Sequence, residues 1–165
     1  MDSETRNFRA EILQQASAEF GKSDLDSGFA IAAGKLLEEA EEVVDFMHCS
    51  YRGTGPRRKS LGVDGYAFDE ADGSLRAVIA DFGGGDLPKV ITQTSAKTEF
   101  SKLTGFVEEA LTGNDEHLPS RDHPATDFAQ LIQTHAESIT RFRFYLVTDG
   151  QLSDRIRDWP EGTLD

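Results

Sequence analysis

The most informative segment of the chain is Gly62-Val63-Asp64-Gly65-Tyr66-Ala67-Phe68-Asp69-Glu70-Ala71-Asp72-Gly73-Ser74-Leu75-Arg76-Ala77-Val78-Ile79-Ala80-Asp81-Phe82. It predicts two strands, over residues 61–69 and 75–82, joined by a tight acidic turn at residues 70–73. The second strand carries apolar residues on both faces, which is typical of a central strand covered on each side. Asp64 lies on the first strand and Asp81 near the end of the second.

Apolar spacing predicts two helices before this hairpin and two after it. The first covers residues 5–20 and is closed by Gly21, and the second runs to about residue 41 behind a cap at Asp26 or Ser27. The third begins near Thr94 or Ser95 and stops at Gly113. The fourth opens at Pro124, because proline is well suited to the first position of a helix.

Two further strands complete the prediction. We assign residues 43–51 to a strand, although a helical period could also continue to Met47. Residues 52–60 contain glycines, a proline and the basic run 57–59, so they predict a loop. A last strand covers residues 141–147. This order predicts a single α/β domain over residues 1–165, with a mixed sheet and helices on both of its faces.

Composition limits the possible partners. The 165 residues are 38% hydrophobic, enough for one domain with a sizeable core. There are 17 Lys+Arg against 30 Asp+Glu, a net charge of -13. Such a field repels free nucleic acid unless metal ions or another domain offset it. Cys49 is the only cysteine, which suits a reducing cytoplasm. No run of 18 apolar residues predicts a membrane span.

Carboxylates on neighbouring strands are the residues from which a metal-dependent hydrolase site is built, because carboxylate oxygens bind Mg²⁺. Asp64 and Asp81 are the candidates here. Each also has a structural interpretation, since Asp64 could occupy a bulge or turn before Gly65, and Asp81 could cap the loop of three glycines at residues 83–85. Glu38, near the end of the second helix, is a third candidate, although the acidic residues around it also fit a solvent-exposed helix face.

The order from the second helix onward, α-β-β-β-α-(α)-β, resembles the core of the PD-(D/E)xK, or restriction-endonuclease-like, nucleases. Two segments are similar to the N-terminal region of AIPR proteins, which are named for abortive phage infection. They are Val63-Asp64-Gly65-Tyr66-Ala67-Phe68-Asp69-Glu70 and, after it, Ile79-Ala80-Asp81-Phe82. The upstream segment 39–46 is similar to that family too. The resemblance covers roughly residues 28–150.

The nuclease resemblance implies that Asp64 and Asp81 hold Mg²⁺, that Glu38 supplies a helical glutamate, and that a lysine two residues after the second acid orients the attacking water. Two registers are open. If Asp81 is the second acid, Gly83 occupies the lysine position. If Ile79 occupies the place of the second acid, Asp81 replaces the lysine, and we favour this register. Neither contains the lysine, so Lys89 or Lys97 would have to reach the site from elsewhere.

Two candidate functions follow from this resemblance. The first is a degenerate, weak or inactive nuclease-like domain that serves protein contacts within a phage-defence protein. The second is an active Mg²⁺-dependent nuclease acting on DNA or RNA. The missing lysine and the charge of -13 favour the first. AIPR proteins are longer, so we expect an N-terminal part whose partner is its own C-terminal region, another protein or a second copy. Nucleic acid would bind only to the full-length protein. Ile156 and Trp159 are candidate contact residues.

Overall fold

The structure is a computed structural model, and it describes residues 1–20 and 24–158, with only the backbone for residues 19 and 20. The elements in chain order are α1 Ser3–Phe20, α2 Leu25–Glu39, β1 Met47–Thr54, β2 Ser60–Asp69, β3 Ser74–Asp81, β4 Val90–Ile91, α3 Gln93–Thr112, α4 Pro124–His135, β5 Arg141–Thr148 and β6 Gln151–Leu152. The predicted helix stop at Gly21 and the predicted contact of Trp159 lie outside the described residues.

A four-stranded mixed sheet organises the domain, in the order β1-β2-β3-β5. The strands β1, β2 and β3 are antiparallel neighbours, and β5 runs parallel to β3 after the helical crossover. The predicted α/β class and the central position of β3 are confirmed. The short parallel pair of β4 and β6 was not predicted, because two-residue strands leave no periodic pattern.

Helices cover both faces of this sheet. One core lies beneath α3 and α4, where the largest fully buried side chains are Phe106, Phe128, Leu61, Leu75, Ile79, Leu103 and Ile132. A smaller cluster under α1 and α2 contains Ile12, Ala16, Phe29 and Ala32, with Ala80, Phe82 and Val147 packed against it. Because side chains alternate along a strand, β3 contributes to both clusters.

The predicted strand over residues 43–51 is wrong in its first half. Glu41 and Asp45 have positive φ values of 58° and 57°, a left-handed conformation that interrupts an extended chain. The segment is a turn, closed by the Phe46 N–H, which donates to the Glu38 carboxylate at 2.7 Å. The strand β1 starts at Met47 instead and continues through residues 52–54, which the sequence assigned to a loop.

Helix starts differ from the prediction by a few residues. α3 begins after Thr92, whose side chain accepts the Ser95 N–H while Ser95 bonds back to the Thr92 backbone in a capping box. α2 begins after Asp24, not at Asp26 or Ser27. The predicted stop of α3 at Gly113 and the start of α4 at Pro124 are confirmed.

Candidate functional site

A polar cleft opens where β2 and β3 stop pairing. Their ladder extends from Asp69 opposite Ser74 to Gly65 opposite Val78. One residue further, the side chain of Asp64 replaces the backbone and accepts the Ala80 N–H at 2.7 Å. The cleft has a volume of about 420 Å³, and it is lined by Asp24, Asp26, Ser27, Ser50, Tyr51, Arg52, Asp64, Ala80, Asp81, Phe82, Glu99 and Lys102.

Asp64 lies at the centre of this cleft and is only 5% exposed. Its Oδ1 accepts from the Ser50 hydroxyl at 2.7 Å and from Arg52 Nη1 at 3.1 Å, and its Oδ2 accepts from Arg52 Nη2 at 2.7 Å and from the Ala80 N–H. Both carboxylate oxygens are therefore held by protein donors. The pair with Arg52 is bidentate, the strongest geometry available to a guanidinium and a carboxylate.

Arg52 was not recognised from the sequence. It lies on β1, and its guanidinium also donates to the carbonyl oxygens of Val63 at 3.3 Å and Ala80 at 3.2 Å, so it bridges the mouth of the cleft. Ser50 and Arg52 are two residues apart on one strand, which places them on one face. That spacing would have identified both residues if the strand had been predicted to extend to Thr54.

Asp81 ends β3 and lines the same cleft, as the sequence predicted from the short hairpin. Lys89 Nζ contacts both of its carboxylate oxygens, at 3.0 and 3.1 Å. Of the two lysines proposed to reach in, Lys89 contacts Asp81 from the loop after β3, but neither Lys89 nor Lys97 is among the residues that line the cleft. Ile79, which the favoured register places at the second acid, is completely buried in the core beneath α3 and α4, so only Asp81 of these two contributes to the cleft.

The structure does not bring Glu38 to the two aspartates. The N-terminal end of α2 meets the cleft through Asp24 and Asp26. Glu38 is twelve residues beyond Asp26, about 18 Å along the helix axis, and its carboxylate is used to hold the Phe46 N–H. Its role in the structure is to close the turn after α2.

A second cation of the cleft comes from α3. Lys102 lies in the cleft and pairs with Glu99 at 2.6 Å, one helical turn earlier. Neither residue was singled out from the sequence, because an acid and a lysine three apart on a helix usually form a surface pair. Arg52, Lys89 and Lys102 each pair with a cleft carboxylate, namely Asp64, Asp81 and Glu99.

The glycine loop after β3 is held by a residue that the sequence did not reveal. Asp149 follows β5, is 7% exposed, and accepts the N–H groups of Gly83 at 2.7 Å and Gly84 at 3.1 Å. Arg9 of α1 donates to the same carboxylate at 2.8 Å and to the Asp149 carbonyl at 2.9 Å. This contact ties α1 to the loop that leads from Asp81 to Lys89.

A hydrogen-bonded chain leads from Asp64 to His48. His48 Nε2 lies 3.0 Å from the Ser50 hydroxyl, which donates to Asp64. Burial lowers the pKa of His48. The negative charges of Asp64 and Asp24 act to raise the same pKa, but burial has the larger effect. Serine lies between the histidine and the acid, whereas a nucleophilic triad places histidine in the middle. The three residues therefore do not form such a triad.

The neighbouring Cys49 points away from this chain into the core and is 1% exposed. Burial raises the pKa of its thiol far above the usual range, so it is a packing residue. Among residues 1–20 and 24–158, no group of three or more His, Cys, Asp or Glu side chains is arranged to hold a metal ion. The helices of these described residues also include none with the length and hydrophobicity of a membrane-spanning segment.

Residues 29–165 match the model of one protein family, the abortive infection phage resistance protein N-terminal domain. The chain belongs to this family. The match begins within α2, so α1 and Arg9 precede it. No curated protein and no solved structure matches the chain. This match confirms the similarity to AIPR proteins that the sequence of the hairpin indicated.

Proposed function

We propose that this domain belongs to a phage-defence protein and is a nuclease-like module with a degenerate metal site, weak or inactive in hydrolysis. One observation carries the proposal: the Arg52 guanidinium covers both oxygens of Asp64. A guanidinium there supplies the positive charge that Mg²⁺ would supply, and it uses the oxygens to which the ion would bind. A cytoplasmic location is part of the proposal, and the lone buried thiol of Cys49 fits a reducing compartment.

The architecture supports a restriction-endonuclease-like fold. A helix precedes three antiparallel strands, two helices follow, and a last strand returns parallel to the central one. The second and third strands part at Gly65 and Val78, and the acidic cleft lies at that point. This is the order that the nuclease resemblance implies, with Asp64 and Asp81 on neighbouring strands.

The alternative is an active Mg²⁺-dependent nuclease, and a different observation favours it. Lys89 contacts Asp81, and Lys102 lies in the cleft. Either amine could take the place of the lysine that the strand lacks. In this case Asp64 and Asp81 would bind Mg²⁺ once Arg52 has moved away, and a metal-bound water would attack the phosphodiester.

Hydrolysis assays separate the two functions. We expect little or no cleavage of single- and double-stranded DNA and RNA by the purified chain with Mg²⁺ or Mn²⁺. The Arg52→Ala variant frees the Asp64 oxygens, and Arg121→Ala, which changes an exposed arginine outside the cleft, is the matched control. Robust cleavage by the unmodified chain that is lost in both Asp64→Ala and Asp81→Ala would contradict the proposal and establish the alternative.

A protein partner is the second part of the proposal. The charge of -13 disfavours nucleic acid as the primary ligand of this domain. We propose that the domain contacts its own C-terminal region, another protein or a second copy, and that nucleic acid binds only to the full-length protein.

A further inference from the structure

An arginine cluster lies at the end of the sheet opposite to the cleft. Leu75 and Ala77 belong to the core beneath α3 and α4, so Ser74 and Arg76 point to the other face of β3. In the parallel ladder with β5, Arg143 is the direct partner of Arg76, and Arg141 is the partner of Ser74. We call Ser74, Arg76, Arg141 and Arg143 the arginine cluster.

This cluster contains buried polar atoms without a partner. In residues 1–20 and 24–158, two buried side-chain polar atoms make no hydrogen bond: Ser74 Oγ and Arg76 Nε. Ser74 is 1% exposed, and the Arg76 side chain is 14% exposed. The two atoms belong to side chains that are two residues apart on one face of β3. An unsatisfied buried donor is uncommon and costly in a native protein, so a pair of them side by side indicates a missing acceptor.

The charges in the cluster lead to the same conclusion. Like charges opposite one another on adjacent strands repel. Arg76 has one carboxylate nearby, that of Asp72 at 3.7 Å, which is half exposed. Within the described part of the chain, Arg141 and Arg143 take part in none of the ion pairs and side-chain hydrogen bonds. The sequence has 13 more acidic than basic residues, yet among the described residues Asp72 is the acid paired with this cluster of three arginines.

We propose that the arginine cluster is a binding site for an oxyanion, a phosphate or carboxylate group. Arg76 Nε–H and the Arg143 guanidinium would donate to it in the forked geometry that suits such groups, with the Ser74 hydroxyl as a further donor. The site is separate from the cleft, because Ser74 and Asp81 are at opposite ends of β3, about 23 Å apart at the rise of a strand. Oxyanion binding at this cluster requires no nuclease activity of the cleft.

An NMR titration tests the site. The probe is sodium phosphate, added to the labelled chain and followed through the arginine Nε–Hε signals, with sodium chloride at equal ionic strength as the reference. We expect saturable shifts of the Arg76 and Arg143 signals with phosphate alone. Arg143→Gln, at a half-buried position, should weaken binding about tenfold, the loss expected from one charge-assisted hydrogen bond. The matched control Arg121→Gln, at an exposed position elsewhere, should bind as the parent does.

Further arms identify the source of the anion. The same titration with acetate, with a short single-stranded DNA and with a glutamate-rich peptide distinguishes a phosphate from a carboxylate ligand, and a shift of the two signals with any of them supports the site. Shifts that match the chloride reference in every arm would overturn the proposal, and so would phosphate binding that Arg143→Gln leaves unchanged. A nuclease result of either kind does not alter these outcomes.

Discussion

Asp64 shows how one side chain can have several partners in a small fold. It replaces a backbone acceptor for Ala80, anchors Arg52 in a bidentate pair, and receives the Ser50 hydroxyl. A buried carboxylate requires such compensation, because the cost of removing it from water is several kcal/mol. The same carboxylate is the residue that a nuclease site would use for Mg²⁺. In this arrangement, the hydrogen bonds that compensate the buried Asp64 carboxylate use the same two oxygens that a metal ion would bind.

His48 makes this network sensitive to pH. Burial places its folded-state pKa below the ordinary histidine value of 6.5. Between those two values the unfolded chain binds a proton that the folded chain does not, so the free energy of unfolding falls as pH decreases through this window and is fully retained above it. We expect urea unfolding at pH 8, 6.5 and 5 to show a smaller loss for His48→Gln than for the parent chain. Equal losses in the two proteins would contradict the prediction.

At the scale of elements, the hairpin of β2 and β3 and the loop after it form the cleft, and distant contacts hold them in place. The loop from Gly83 to Lys89 has no regular structure of its own. Asp149, at the end of β5, fixes the first two of its N–H groups, and Arg9 of α1 neutralises that aspartate. α1 therefore helps to position the Lys89–Asp81 pair, although it precedes the residues of the family match.

Removing Arg9 should release this loop. Its side chain is 13% exposed and that of Asp149 is 3% exposed, so Arg9→Ala leaves an unpaired buried charge. We expect a loss of about 3–5 kcal/mol in the free energy of unfolding, as for other broken buried pairs. Hydrogen exchange at the Gly83 and Gly84 amides should accelerate more than exchange in β2.

Arg6→Ala is the matched control for this prediction. It changes an arginine of the same helix that is exposed and donates to the Asp2 carbonyl, and surface changes of this type cost little. If Arg6→Ala and Arg9→Ala have equal effects on the two glycine amides, Arg9 has no specific role in the loop.

At the scale of the whole molecule, charge is the dominant property. With 30 acidic and 17 basic residues, the surface repels polyanions in general. Arg52, Lys89 and Lys102 pair with acids at the cleft, whereas Arg141 and Arg143 of the arginine cluster form no ion pair with another described residue. A local anion site on a strongly acidic body would select partners by geometry, because the overall field gives no attraction.

The proposed protein contact predicts association with another polypeptide. Val44, Met47 and Leu152 are exposed apolar side chains available for such a contact. We therefore expect light scattering at several concentrations to reveal self-association, or mixing with the C-terminal part of the full-length protein to show docking. Ile156 and Trp159 remain candidate contact residues. A chain that stays monomeric, ignores the C-terminal part and binds DNA tightly in a salt-sensitive way would contradict this prediction.

The α/β class, the hairpin and the central position of β3 could be predicted from the sequence. These features follow from local periodicity and turn chemistry, in which each residue acts on near neighbours. The family was indicated separately, by the resemblance of the hairpin sequence to AIPR proteins. The sequence also indicated that Asp64 and Asp81 would lie close together, because a short hairpin fixes its own register. The groups that contact those two acids became visible in the three-dimensional structure alone. Arg52, Lys89, Asp149 and Arg9 are far from one another along the chain, and no sequence period records a contact between distant segments. The role of Glu38 was decided in the same way, since only packing shows which end of α2 faces the cleft.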